Sequence, residues 1–236
     1  MAASFFQFKK FIVHHDKCAM KVGTDGVLLG AWTSAERSQR VLDIGTGSGL
    51  IALMLAQRSE ALIHAIDIDH QAWIQAKENI SESIFSERIH VFQSSLNEYA
   101  AQTTERYDLI VSNPPYFKNS LRSPVQERNL ARHNDSLTLK SLIEDSLKIL
   151  APQGSLSLIL PYDQEQDLDT LAVSFHLYFS RKTYVRPIPE TACKRILVTL
   201  TTNKTTCQSD ELIIEESRHN YTQEYIALTK DFYLKM

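Results

Sequence analysis

Two hydrophobic periods alternate along the chain from Arg40 onward. Val41-Leu42-Asp43-Ile44 reads as a buried strand, a glycine-rich turn follows, and Leu50 to Arg58 begins a helix. Ala61 to Ile66 reads as a second strand, and Gln71 to Ser83 as a helix with Ala72, Ala76 and Ile80 on one face. Ile89 to Phe92, Tyr107 to Ser112 and Ser155 to Leu160 read as further strands, with a helix over Leu139 to Leu150 before Pro152. Strand and helix alternation of this kind predicts a parallel sheet covered on both faces. Tyr178 to Arg186 and Lys194 to Thr202 are two β-rich runs, and the stretch from Pro187 to Cys193 between them is too short for a helix, so they are expected to pair antiparallel at one sheet edge. Tyr225 to Leu228 reads as a short helix or turn; the rest of the segment from Asp210 to Met236 carries no assignable period. The expectation is one α/β domain with a seven-stranded, mostly parallel, doubly wound sheet and an antiparallel edge hairpin. No repeat or linker divides it, so residues 1–40 are expected as an N-terminal extension, 41–202 as the core and 203–236 as a C-terminal segment.

Composition narrows the class. With 43% hydrophobic and 22% charged residues, disorder, collagen and coiled coil are excluded. No apolar stretch approaches the roughly 20 residues of a membrane span, and the N-terminus lacks the apolar block of a signal peptide, so a soluble, cytoplasmic protein is expected. Cys18, Cys193 and Cys207 are odd in number and far apart, which argues against a disulfide framework or a zinc site, and no metal is expected. A net charge of −3 excludes a protein that coats nucleic acid by bulk positive charge. Two windows are locally basic: residues 118–148 at +2 and residues 180–204 at +5.

Asp43-Ile-Gly45-Thr-Gly47-Ser-Gly49 stands where the first strand hands over to the first helix, the position at which doubly wound folds bind cofactors. Leu50 occupies the slot in which the dinucleotide fingerprint places its third glycine, which weakens a nicotinamide or flavin reading. Asp43, expected beside the ligand, is a poor neighbour for a pyrophosphate and a good one for a cationic ammonium, and so favours S-adenosylmethionine. Asp67, closing the second strand, is placed to accept from both ribose hydroxyls, in preference to Asp69.

Asn113-Pro-Pro-Tyr116 follows a later strand directly, so it emerges at the same carboxyl edge. The Asn113 amide oxygen and the Pro114 carbonyl supply two acceptors for the two N–H groups of an exocyclic amine, and Tyr116 supplies a ring to stack on a base. Pro114 and Pro115 restrict the backbone, so the acceptors are aimed before substrate arrives.

These residues resemble the class I S-adenosylmethionine-dependent methyltransferases, with Asp43 to Gly49 as the glycine motif and Asn113 to Tyr116 as the NPPY motif of amino-group methylators. A narrower resemblance, carried by Cys18 to Trp32, Ala131-Arg-His133 and Tyr221 to Met236, is to the bacterial tRNA1(Val) (adenine(37)-N6)-methyltransferase family. It implies a Rossmann-like fold, methyl transfer to the N6 amine of adenine 37 in the anticodon loop of valine tRNA, and a target adenine held by Asn113, Pro114, Pro115 and Tyr116. It also implies that Lys21 to Gly30 packs over the cofactor, with Lys21, Thr24 and Asp25 joining Asp43, Gly45, Gly47, Gly49, Asp67 and Asn113 around S-adenosylmethionine. Many relatives carry an aspartate after the third strand for the cofactor adenine; here Gln93-Ser94-Ser95 stands there, and Ser95 is the candidate. Arg132, His133, Arg186, Lys194 and Arg195 are the candidate RNA contacts. A tRNA is the expected partner, with no membrane and no oligomer required. The competing readings are methylation of a release-factor-type protein glutamine, whose amide presents the same two N–H donors, and a noncatalytic RNA-binding domain.

Overall fold

The computed structural model describes residues 4–18, 20–115 and 137–236. Among these, eight strands form one sheet in the order β10-β8-β9-β7-β6-β3-β4-β5. Five of them, contiguous from one edge of the sheet, are β3 (Arg40–Ile44), β4 (Leu62–Asp67), β5 (Ile89–Gln93, the edge strand), β6 (Tyr107–Ser112) and β7 (Leu150–Pro161), and neighbours among them pair parallel. Beyond them lie β8 (Tyr178–Arg186), β9 (Arg195–Thr201) and β10 (Gln208–Ile213).

The antiparallel pair expected near residues 178–202 is present: β9 runs antiparallel to both β7 and β8. It is not at the edge, because β10 adds an eighth strand, parallel to β8. Leu212 is the one buried side chain of β10 and Gln208 to Glu211 are exposed, so the strand is held by ladder bonds and salt links rather than by core. That is why no hydrophobic period marked it.

Strand alternation divides the core into two layers. On one face Val41, Ile63, Ala65, Leu109 and Val111 pack against α1 (Thr24–Trp32), α2 (Leu50–Arg58) and α3 (His70–Ser81). On the other, Leu42, Ile66, Ile110, Leu156 and Leu158 pack against α4 (Leu96–Gln102), α5 (Leu139–Ile149) and α6 (Glu165–Ser174). The first seven residues of α2 and the last seven of α1 are all buried, as a helix apolar on every side requires. The two helices meet closely: a Cβ on Gly30 would lie 2.8 Å from Met54 Sδ and 2.9 Å from Met54 Cβ.

Two ends of the chain close the first layer. A hairpin of β1 (Phe5–Gln7) and β2 (Ile12–His14) lies against α3, and Phe8 bridges to Tyr233. Helix α7 (Gln223–Thr229) contacts α1. Among the described residues no helix is long and apolar enough to cross a membrane.

Candidate active site

The strand order reverses at β3, which has β4 on one side and β6 on the other. A crevice opens there at the carboxyl ends of the strands, the general ligand site of open α/β sheets. The glycine turn and Asn113 both emerge into it. Ile44 pairs with Ser112 in the β3–β6 register, and Ser112 Oγ donates to the Ile44 carbonyl at 2.9 Å, so Gly45 and Asn113 are the next residues along adjacent strands.

The turn needs glycine. Gly45, Gly47 and Gly49 take φ of 68°, 57° and 82°, the left-handed region that side chains avoid. Their amides are placed by the neighbouring strand: Gly45 and Thr46 both donate to the Ile66 carbonyl, at 2.9 and 3.0 Å. A Cβ built on Gly45 or Gly47 would meet no described atom within 4 Å. This open backbone surface fits close approach by a cofactor.

Asp43 lies beneath the turn, not on its surface. It is 0% exposed, and its Oδ2 accepts from Thr46 Oγ1 at 2.6 Å and from the Ala52 amide at 3.2 Å. The sequence expectation of a carboxylate beside the ligand is therefore modified to a brace under it. Burial pushes its carboxyl up to about 7. Thr46, unremarked in the sequence, supplies the hydroxyl that ties this brace to the turn.

Asp67 closes β4 at the surface of the crevice. Its Oδ2 accepts from the Gly47 amide at 2.8 Å and its Oδ1 from the Asp69 amide at 2.9 Å, while burial raises its carboxyl above the ordinary range. Asp69 instead caps α3 by accepting from the Ala72 amide at 2.8 Å, which commits one of its oxygens to the helix. The Ser94 amide donates to the Asp67 backbone carbonyl at 3.0 Å, so the residues after β5 lie beside the end of β4. Ser95 Oγ donates to Glu98 and accepts from the Glu98 amide in a capping box at the start of α4, which commits that hydroxyl to the helix.

The N-terminal candidates arrive on α1. A Cβ on Gly26 would lie 3.0 Å from the side chain of Leu50, the residue after Gly49, so the first turn of α1, which carries Thr24 and Asp25, packs close to the start of α2. Lys21 and Thr24 are exposed, and Asp25 accepts from Arg195 Nε at 2.8 Å. Arg195 begins β9 opposite Pro161, at the carboxyl edge of the parallel strands. One candidate cofactor residue and one candidate RNA residue are thus joined in an ion pair.

The locally basic window at residues 180–204 carries much less free charge than its composition implied. Arg181 pairs with Asp210, Lys182 with Glu165 and Asp169, Arg186 with Glu211, and Arg195 with Asp25. Lys194 is exposed in the connection between β8 and β9. Asn113 is half-buried, Pro114 buried and Pro115 exposed. Tyr116, Arg132 and His133 lie outside the described residues. Among those described, no group of three or more His, Cys, Asp or Glu side chains is placed to hold a metal ion.

Comparison with known proteins agrees with this arrangement. The profile of the methyltransferase small domain matches residues 19–177. A tRNA1(Val) (adenine(37)-N6)-methyltransferase from Parabacteroides distasonis is 56% identical over the full length of both chains, and one from Bacteroides fragilis is 49% identical over the same span. Among solved structures, a predicted O-methyltransferase from Agrobacterium tumefaciens superposes with a TM-score of 0.70 at 20% identity, covering 88% of this chain and 96% of that one. At that identity the likeness shows the class I methyltransferase fold. Glycine turn, Asp67 and Asn113 share one crevice, and the relatives align from end to end: the chain belongs to the methyltransferase small domain family and, within it, to the tRNA1(Val) (adenine(37)-N6)-methyltransferases.

Proposed function

We infer that this protein is an S-adenosylmethionine-dependent methyltransferase acting on the N6 amine of an adenine in tRNA, at position 37 of the valine tRNA anticodon loop as in its named relatives. The observation that carries the reading is the β3–β6 register, which makes Gly45 of the cofactor turn and Asn113 of the amine-binding turn neighbours on adjacent strands.

Bound S-adenosylmethionine supplies an electrophilic methyl group on a sulfonium. Gly45, Gly47 and Gly49 offer it backbone, Asp67 accepts from its ribose hydroxyls, Asp43 braces the glycine turn from beneath through Thr46 and the Ala52 amide, and Lys21, Thr24 and Asp25 close over it from α1 and the segment before it. Ser95 borders the adenine end through its backbone. On the other side of the crevice the Asn113 amide oxygen and the Pro114 carbonyl accept the two N–H groups of the target amine. That holds the nitrogen lone pair out of the ring plane and aimed across the crevice. As the new C–N bond forms, the S–CH₃ bond breaks and the thioether leaves. The methylated nitrogen becomes strongly acidic and releases one of its two protons to solvent from its hydrogen bond to Asn113 or Pro114. No separate base is therefore needed, and orientation and acceptor placement do most of the work. Pro115 stiffens the turn and Tyr116 stacks on the adenine. An anticodon-loop adenine is already partly unstacked, which lowers the cost of bringing it in. Arg132, His133, Arg186 and Lys194 contact the RNA backbone, and Arg195 does so while holding Asp25. The activity belongs in the cytoplasm with its tRNA, needs no metal and requires no second copy.

The test is to incubate the protein with methyl-labelled S-adenosylmethionine and unmodified valine tRNA, digest the RNA and identify the labelled nucleoside. Label in N6-methyladenosine, lost in Asn113→Ala, is the expected result. Label in a release-factor glutamine and none in RNA would transfer the reading to protein methylation.

A further inference from the structure

The mechanism above leaves unused a buried carboxamide that touches both the glycine turn and the N-terminal segment. Asn79, on α3, is 1% exposed. Its Oδ1 accepts from the His14 amide at 2.9 Å, and its Nδ2 donates to the His14 carbonyl at 2.8 Å and to the Ser48 carbonyl, inside the glycine turn, at 2.7 Å. The side chain thus pairs with His14 as a neighbouring strand would, while its second N–H holds the turn. One helical turn earlier, Gln75, also 1% exposed, accepts from the Lys17 amide at 3.1 Å, and the Lys17 ammonium pairs with Glu78. Residues 14–18 are therefore fixed along α3 at two points.

We propose that Asn79 is a positioning residue for the cofactor site, which locks the backbone of the N-terminal segment at His14 to the glycine turn at Ser48 and so holds the turn in its cofactor-binding shape. The proposal rests on the cofactor reading above. Without the carboxamide, two backbone carbonyls and one amide lose their partner, all buried or half-buried groups that water reaches poorly. The N-terminal segment then loses its tie to α3 at His14, and the turn loses the described side chain that holds Ser48 from outside.

The experiment is calorimetric titration of the full chain with S-adenosylmethionine, with no RNA present, followed by the tRNA assay at varied cofactor. Asn79→Ala is expected to raise the cofactor Kd by about tenfold or more. Asn79→Asp has nearly the same shape and keeps the acceptor for the His14 amide, but loses both donors, so it is expected to bind as weakly as Asn79→Ala. In turnover the loss is expected in the cofactor KM rather than in kcat, because Asn113 and Pro114 sit across the crevice. Gln75→Leu, which frees only the Lys17 end, is expected to raise Kd by a smaller factor. A folded Asn79→Ala with unchanged Kd, or an Asn79→Asp that binds like wild type, would overturn the proposal. If both Asn79 variants fail to fold, a Gln75→Leu with wild-type Kd overturns it instead. Wild type with no measurable affinity for the cofactor would sink the cofactor reading itself, a different outcome from any of these.

Discussion

Asp43→Asn should reverse its effect on stability between acid and alkaline solution. The carboxyl is 0% exposed, and burial raises it from an ordinary 3.8 to about 7. Its Oδ2 is bonded to Thr46 Oγ1 and the Ala52 amide, but its Oδ1 is buried with no hydrogen-bond partner among the described residues. Below 3.8 the folded and unfolded chains both carry the proton, and the folded state bears no penalty. As pH rises from there, the unfolded chain releases the proton while the folded one keeps it, so stability falls by about 1.4 kcal/mol per unit until about pH 7. Over that span the loss reaches about 4 kcal/mol. An asparagine keeps an oxygen for Thr46 and Ala52 and places an unsatisfied N–H₂ where Oδ1 was, at a cost of about 1–3 kcal/mol that does not change with pH. The variant should therefore be the less stable protein near pH 4 and the more stable one near pH 8. The swing between them is about 4 kcal/mol, or on the order of 10 °C in Tm for a chain of this size. Urea unfolding of both proteins at matched pH values measures the difference directly, and all other titrating groups cancel. A stability difference that stays flat from pH 4 to pH 8 would refute the buried carboxyl.

Three further outcomes test separate parts of the structure. Asn113→Ala should abolish methyl transfer to tRNA while cofactor affinity, read by calorimetry, changes far less than turnover; retained turnover would remove Asn113 from the amine site. Gly30→Ala should destabilise by about 1–3 kcal/mol in urea, because its Cβ would overlap Met54; a variant more stable than wild type would mean that helix propensity outweighs the close α1–α2 packing. Tyr107→Phe removes one corner of a buried triangle in which Tyr107 Oη lies 2.7 Å from His64 Nδ1 and 2.6 Å from Tyr99 Oη, and should cost about 1–2 kcal/mol; no loss of stability would show that the other two corners satisfy each other.

Several features were legible because their signal is local. The passage from Val41 to Arg58 reads as strand, turn and helix from its own residues: the β-branched run buries itself, three glycines permit the left-handed turn, and an all-apolar helix follows. Asp67 and Asn113 were legible for the same reason, since Asp67 ends one strand and Asn113 directly follows another, which puts both at the carboxyl edge. The short helix α4 escaped notice because its seven residues are too few to show a period, although the Ser95 and Glu98 capping pair marked its start. Strand β10 escaped because an edge strand with one buried side chain has no alternating pattern to read.

The sequence by itself determined the five parallel strands in chain order, the glycine turn, the Asn113-Pro114 turn after the fourth of them and the family, because these depend on residues adjacent in the chain. Only the tertiary structure decided that Asp43 lies beneath the turn, since its burial depends on what packs around β3 and α2. It alone decided that the basic run of residues 180–204 is largely neutralised, by acids from α1, α6 and β10 that are distant in sequence. It alone brought Asn79 onto both His14 and Ser48. Charge pairing and hydrogen bonding act over a few ångströms of space, and the chain's own order does not record which distant residues the fold will bring within that range.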